Sequence, residues 1–257
     1  MNYGLYVTAS GLATQMAKQD ALSNNLANVN TTAYKPDVFA VRERLAARQE
    51  DGLGAIPSNS LLERLGGGVM PVAMRVNMAP SALERTGRPL DVGIEGEGFL
   101  LVRTGAGEND VGFTRDGRFT LAGDGRLISS TNGLEILDSN GSPIRLDPTA
   151  PVHIRPSGAI VQKGSDVAQL ALVTVGDPSA LHKAGEGVFR LPEGEAGEHL
   201  PATGRIMQEF VESSGSDPIL TMNAISEAGR SVVNSTSVIS YINGMMDRAI
   251  NGLGRTS

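Results

Sequence analysis

The chain has 257 residues, 32 of them glycine, with six Phe, four Tyr, no Trp, no Cys and a formal charge of −6 at pH 7. Without cysteine there is no disulfide framework, no thiolate nucleophile and no Cys-based zinc site. The acidic balance and the lack of clustered Lys and Arg argue against a nucleic-acid surface. The length suffices for one domain with long extensions, and the many glycines predict a chain rich in turns.

The first twenty residues, MNYGLYVTASGLATQMAKQD, lack a basic n-region, and Thr8, Ser10, Thr14 and Gln15 break their apolar character, so no ordinary signal peptide is expected. No apolar run reaches the roughly 18 residues of a membrane span. At seven-residue spacing the segment reads as a helix with one row of Leu5, Leu12, Gln19 and Leu26 and a second of Ala9, Met16 and Ser23. The stripe is apolar but interrupted by small and polar members, so it calls for a partner without binding one tightly. ALSNNLANVNTTAYKPD, Ala21 to Asp37, then fills with amides and hydroxyls and halts at Pro36, which ends the helix before Thr31. Leu5, Leu12, Met16, Leu22 and Leu26 are the apolar assembly candidates here, with the amides Asn24, Asn25 and Asn28 at the helix exit.

The connector that follows carries VFAVRERLAARQEDG, extended or briefly helical, and then GLGAIPSNS and RLGGGVMP as flexible punctuation. From Leu90 the text is strand and turn: LDVGIEGEGFLLVRTG, VGFTRDGRFTLAGDGRLISSTNG and LEILDSNGSPIRL. Asp116-Gly117, Asp124-Gly125, Asn132-Gly133 and Asn140-Gly141 mark four turns, close to the pattern of consecutive hairpins. Further strands are expected over Val152 to Arg155, Ala159 to Gln162, Gln169 to Thr174 and Gly187 to Leu191.

At the other end Asp217 reads as an N-cap and Pro218 as the first helical residue. Ile225, Val232, Ile239, Met246 and Leu253 recur every seven residues, with a companion row of Met222, Gly229, Thr236, Asn243 and Ile250. Ile225, Val232, Ile239, Met246 and Leu253 are the C-terminal assembly candidates, on a rod about 50 Å long if helical throughout. The expected fold is α+β: long terminal helices forming a coiled-coil-like axial core, with an inserted, mainly antiparallel β-domain. The boundaries are an axial helix and exit over 1–35, a connector over 36–87, the β-rich domain over 88–205, a second connector over 206–216 and the axial helix over 217–257.

Catalytic chemistry finds little footing. His153, His182 and His199 sit in no ligand spacing, and Asp110, Asp116, Asp124 and Asp138 lie at turns, where carboxylates cap backbone groups. The glycine-rich GAGEN and ERLGGG lack the Lys-Ser or Lys-Thr pair of a phosphate loop. No catalytic, metal or cofactor-binding residue is assigned and no cofactor is expected. The readings that compete are a self-assembling subunit, a β-rich surface-binding module, which would not need matched heptads at both ends, and a hydrolase, for which few bases are available.

GLYVTASGLATQMAKQDALSNNLANVNTTAYKPD, and within it SNNLANVNTTAYK from Ser23 to Lys35, resembles the N-terminal segment of flagellar rod and hook proteins. LDVGIEGEGFLLV, Leu90 to Val102, and FTRDGRFTLAGDGRLISSTNG, Phe113 to Gly133, are similar to the hairpins of that family, and MMDRAINGLGR, Met245 to Arg255, to its rod-protein tails. The resemblance implies a non-enzymatic structural subunit of the bacterial flagellar basal body. It would be exported by the flagellar type III apparatus and polymerised in the periplasmic space, with no membrane span of its own. Its terminal helices would surround the export channel, its β-domain would lie farther out, and its partners would be neighbouring rod subunits and the export apparatus, not nucleic acid. The chain is most like the proximal-rod members, because the connector lacks the insertion of many distal-rod sequences; the distal rod is the alternative. Arg230-Ser231-Val232-Val233 departs from the family, where an aromatic and an acidic residue commonly follow the arginine.

Overall fold

The computed structural model describes residues 3–45, 66–105, 110–192 and 200–253. The expected flexible stretch 52–60, residues 106–109 of the glycine-rich GAGEN, His199 and the side chain of Leu253 lie outside the described residues. The chain forms two compact units, one of Met1–Ala27, Asp37–Arg75 and Asp217–Ser257, the other of Asn28–Pro36 and Val76–Ser216.

In the first unit α1 (Tyr3–Ala27) packs against α2 (Pro218–Leu253). The start of α2 is fixed as its sequence suggests: Asp217 Oδ1 accepts from the N–H groups of Ile219 at 2.8 Å and Leu220 at 3.0 Å, satisfying two donors a helix leaves open. Asn28, just after α1, accepts through its carbonyl from Ser214 Oγ, just before α2, at 3.0 Å, so the packed helices run antiparallel. Ile225, Val232, Ile239 and Met246 are half-buried as expected, but the row beside them is Thr221, Ala228, Ser235 and Ile242. Met222, Thr236, Asn243 and Ile250 of the expected companion row are exposed. The observed seam steps three residues past each large apolar side chain and not four, which buries Ala228 to 1% exposure in it. On α1 the first row is half-buried throughout, whereas Ala9, Met16 and Ser23 are exposed and Thr14, Ala21 and Asn25 are buried instead. The helix is covered on more than one side, since short strands also lie on it.

Those strands are β1 (Asp37–Val38), β2 (Val41–Glu43) and β3 (Val69–Pro71), with β4 (Arg75–Val76) following. β2 and β3 form an antiparallel pair, and β3 packs on α1, where Gly68 at φ +90° would place a Cβ 2.3 Å from Ser10 Oγ. The connector after the first helix is therefore partly structured as extended chain.

The second unit carries the remaining strands: β5 (Leu83–Arg85), β6 (Val92–Glu95), β7 (Phe99–Arg103), β8 (Val111–Thr114), β9 (Phe119–Leu121), β10 (Leu127–Ser129), β11 (His153–Ile154), β12 (Ala159–Gln162), β13 (Ser165–Gln169), β14 (Leu172–Thr174), β15 (His182–Gly185), β16 (Val188–Arg190), β17 (Leu200–Pro201), β18 (Arg205–Gln208) and β19 (Phe210–Glu212). Its largest sheet has the order β15-β16-β8-β7-β14-β17, all neighbours antiparallel. The run FLLV in β7 is buried on both faces. Leu100 and Val102 enter one core with Val92, Ile94, Leu127, Ile136 and Ile160, while Phe99 and Leu101 enter a second with Phe113, Leu137 and Phe189. In that second core Phe99 meets Phe113 and Phe189 edge-on at 6.3 and 6.1 Å between centroids. Residues 206–216, set apart in the sequence as a connector, form most of β18 and all of β19, which pair with β6 and β5.

Three of the four expected turns close hairpin-like ladders, at Asp124-Gly125, Asn132-Gly133 and Asn140-Gly141. Asp116-Gly117 does not, because β8 pairs with β7 and β16 and not with β9. Gly117 instead lets the backbone pass against β6: its carbonyl accepts from Val92 N at 2.9 Å, and a Cβ there would lie 1.9 Å from Val92 O. Gly117→Ala is expected to lower stability by about 2–3 kcal/mol through this backbone clash. Gly123→Ala, with nothing within 4 Å, should stay within about 0.5 kcal/mol of wild type, as read by denaturant unfolding followed by circular dichroism.

Candidate assembly site

The helix exit explains its own amides. Asn25 is buried and its side chain copies a strand partner, donating from Nδ2 to Asp37 O at 2.9 Å and accepting at Oδ1 from Asp37 N at 2.9 Å. Asn28 accepts at its carbonyl from Thr31 N at 3.1 Å and at Oδ1 from Thr31 Oγ1 at 3.1 Å, so the helix unwinds into a turn with its groups satisfied. Asn24 is exposed. Ala33, at φ +54°, turns its N–H to Glu212 O at 2.8 Å, and Tyr34 O accepts from Gly215 N at 2.9 Å.

Lys35 follows, fully buried. Its Nζ donates to Glu212 Oε1 at 2.8 Å and Ala79 O at 2.6 Å, while Glu212 Oε1 also accepts from Ser81 N at 2.6 Å. Arg115 Nε lies 3.2 Å from Glu212 Oε2, its Nη2 donates to Gly96 O, and its guanidinium stands 5.7 Å from the centroid of the Phe99 ring. The three charged side chains are 0–1% exposed. Two cations thus share one carboxylate in a dry site. Burial lowers the Lys35 ammonium below its ordinary 10.5, against the opposing pull of Glu212, and the nearby Arg115 charge adds to the lowering. Burial likewise lowers Arg115, which Glu212 and Glu97 oppose. Arg115 and Glu212 carry no sequence signal of this role; Lys35 stands out only as the one charge in an amide-rich exit.

A cavity of about 220 Å³ opens beside this loop, lined by Tyr34, Lys183 and the hairpin residues Gly185 to Phe189. In it Asp116 binds Arg118 and Thr131, each at 2.7 Å, and Lys183 Nζ sits 4.3 Å from the Tyr34 ring centroid. Among the described residues no three His, Cys, Asp or Glu come together as a metal site, and His153 and His182 are exposed on separate strands. Asp138 and Asp124 cap turn N–H groups, as expected of turn carboxylates.

The remaining assembly candidates lie along the helices. Leu5, Leu12, Leu22 and Leu26 of α1 and Ile225, Val232, Ile239 and Met246 of α2 are half-buried in the subunit itself, and Met16 is 53% exposed. Apart from Met222, which the expected companion row included, sequence periodicity missed the second apolar set of α2. Ile219, Met222, Val233, Val238, Tyr241 and Met245 project away from the seam, with Ile219 71% and Tyr241 64% exposed. Hydroxyls between these side chains turn back on their own helix: Ser226, Thr236 and Ser237 donate to the carbonyls of Met222, Val232 and Val233 at 3.0, 2.9 and 2.9 Å. No described helix is long and apolar enough to cross a membrane.

This arrangement has relatives. Residues 5–35 match the family described as flagella basal body rod protein, and residues 93–162 match the flagellar hook protein FlgE/F/G D1 domain. The flagellar basal-body rod protein FlgF of Caulobacter vibrioides is 29% identical, over 99% of both chains. FlgG of Bacillus subtilis is 27% identical over 96% of this chain and 97% of its own, and FlgF of Rhizobium meliloti 27% over 99% of both. The chain is thus similar to flagellar basal-body rod and hook proteins along nearly its whole length. The first match covers α1 and its exit loop through Lys35; the second begins in β6 and ends with β12. The family segments therefore coincide with one axial helix and with the strands that build both cores of the β-domain.

Two outcomes test this geometry. Asn25→Ala leaves the N–H and carbonyl of Asp37 unpartnered by that side chain and is expected to cost about 1–3 kcal/mol in denaturant unfolding. For Lys35 the sign follows from linkage: between its lowered folded value and 10.5 the unfolded chain binds the extra proton, so stability rises with pH across that window. Wild type minus Lys35→Met should accordingly climb on the alkaline side in circular-dichroism denaturation curves; a flat or falling difference would contradict the assignment.

Proposed function

We propose that this chain is a structural, non-enzymatic subunit of the flagellar basal-body rod. In this reading it sits in the periplasmic space and joins neighbouring rod subunits through α1 and α2 around the export channel. The observation that carries the reading is the second apolar face of α2. Within the subunit α2 already has a partner in α1, yet Ile219, Met222, Val233, Val238, Tyr241 and Met245 are left toward solvent along the same helix. A helix that leaves large apolar side chains on the side away from its partner fits packing between several neighbours.

The proximal rod is the favoured position. Two relatives named FlgF align with the chain end to end, at 99% of each. The distal rod is the second reading, since the Bacillus subtilis FlgG aligns over nearly as much. A proximal subunit would form a short segment joining unlike neighbours, which requires discrimination against wrong partners as well as attraction to right ones.

Ile239→Asp places a charge in the half-buried seam of α2, where loss of hydration costs several kcal/mol without a partner. Export and the β-domain should persist, while incorporation into purified basal bodies, read by immunoblot, falls sharply. Counting subunits in isolated basal bodies, with density fitted at residue resolution, tests position: a few copies below a longer distal run support the proximal reading, and dozens of copies support the distal one.

A further inference from the structure

The buried charges of the second unit join residues that are far apart in the chain: Lys35 and Glu212 are separated by 177 positions. Glu212 is the sole acidic partner that touches Lys35 and Arg115 among the ion pairs of the described residues. Glu97, the other acidic group acting on Arg115, is exposed. A chain folded only as far as residue 200 would therefore hold two cations in a closing apolar site with no buried anion, a state that low dielectric strongly disfavours.

The backbone around Glu212 has the same late, closing character. β18 pairs with β6 through four residues, brings Ile206, 1% exposed, into the first core, and donates from Ile206 N to Pro156 O at 3.0 Å. Gln208 then ties two separate stretches: its Nε2 donates to Pro89 O at 2.7 Å and Val152 O at 3.0 Å, and its Oε1 accepts from Ile154 N at 3.0 Å. Glu209 N donates to Asp91 O at 2.8 Å, and β19 pairs with β5. Until this strip arrives, the partners it satisfies in residues 33–35, 81–97 and 152–156 stay open.

We infer that Glu212 and its strip form a closing latch: the β-domain seals Lys35 and Arg115 only when residues 205–212 are present, so a chain emerging N-terminus first stays open until all but α2 is available. The physical claim concerns the isolated chain; its use, delaying closure during passage through a channel, rests on the rod reading above.

Pulsed hydrogen exchange with mass spectrometry during refolding of the full chain tests it. Amides of β7 and β8 should gain protection in the same kinetic phase as those of β18 and β19. Protection of β7 and β8 in an earlier phase overturns the latch. At equilibrium Glu212→Gln should raise exchange across β7 and β8 by about tenfold or more, while Glu209→Gln, which removes only the exposed pair with Arg85, leaves it unchanged. Exchange within about twofold of wild type in Glu212→Gln also overturns the proposal. Should Glu212→Gln not fold, the phase order in wild type decides alone. None of these measurements needs a basal body, so failure here is separate from failure of the rod reading, which subunit incorporation tests.

Discussion

The second unit depends on one carboxylate. Glu212 receives Lys35 Nζ and Ser81 N on one oxygen and faces Arg115 Nε with the other, and its main-chain carbonyl holds Ala33 N. Each contact reaches a different stretch of chain, so a single side chain ties the exit loop after α1, the strand entry near Ser81 and the end of β8. The arrangement does not maximise stability, because an apolar triad of similar volume would avoid the desolvation of three charges. What it adds is conditionality. The site carries two cations and one carboxylate, so removing Glu212 leaves both cations buried without an anion, whereas removing either cation leaves one balanced pair.

The first unit follows the opposite logic. Its seam has small and hydroxyl-bearing residues, Thr221, Ala228 and Ser235, between larger apolar ones, and hydroxyls elsewhere on both helices donate to their own turns, as Thr14 Oγ1 does to Ser10 O at 2.8 Å. Such residues need no specific partner across an interface. They permit close packing without demanding it, which suits a helix pair whose surroundings change between a free chain and a filament.

Much of this was legible beforehand. The Asp217-Pro218 helix start, the end of α1 before Thr31 and the antiparallel β-rich middle follow from capping, proline and alternation, which are local rules. The companion row on α2 was misplaced because a step of three and a step of four are equally helical, and only the partner decides which face is the seam. Asp116-Gly117 looked like a hairpin turn because its dipeptide is one; the backbone of Val92, distant in sequence, makes it a crossing point. Lys35, Arg115 and Glu212 were invisible for the same reason. Nothing near any of them in the sequence announces a charge partner more than seventy residues away, and burial of a charge is a property of the whole fold.

The distribution of side-chain size over α2 bears on where its binding energy lies. Fully burying a large aliphatic or aromatic side chain gains about 1.5–3 kcal/mol, whereas Ala, Ser and Thr contribute far less. Along α2 the seam toward α1 mixes small residues with half-buried Ile225, Val232, Ile239, Ile242 and Met246, and several further large residues, Ile219, Leu220, Val233 and Tyr241, are more than 60% exposed. The helix pair inside one subunit therefore draws on only part of the apolar surface of α2. If neighbouring subunits cover the outward face, a further gain arrives with them. A helix divided in this way would be marginal in the free chain and firm in the assembly, so the order of events would be set by which apolar surface remains available, first for the closing β-domain and then for the next subunit.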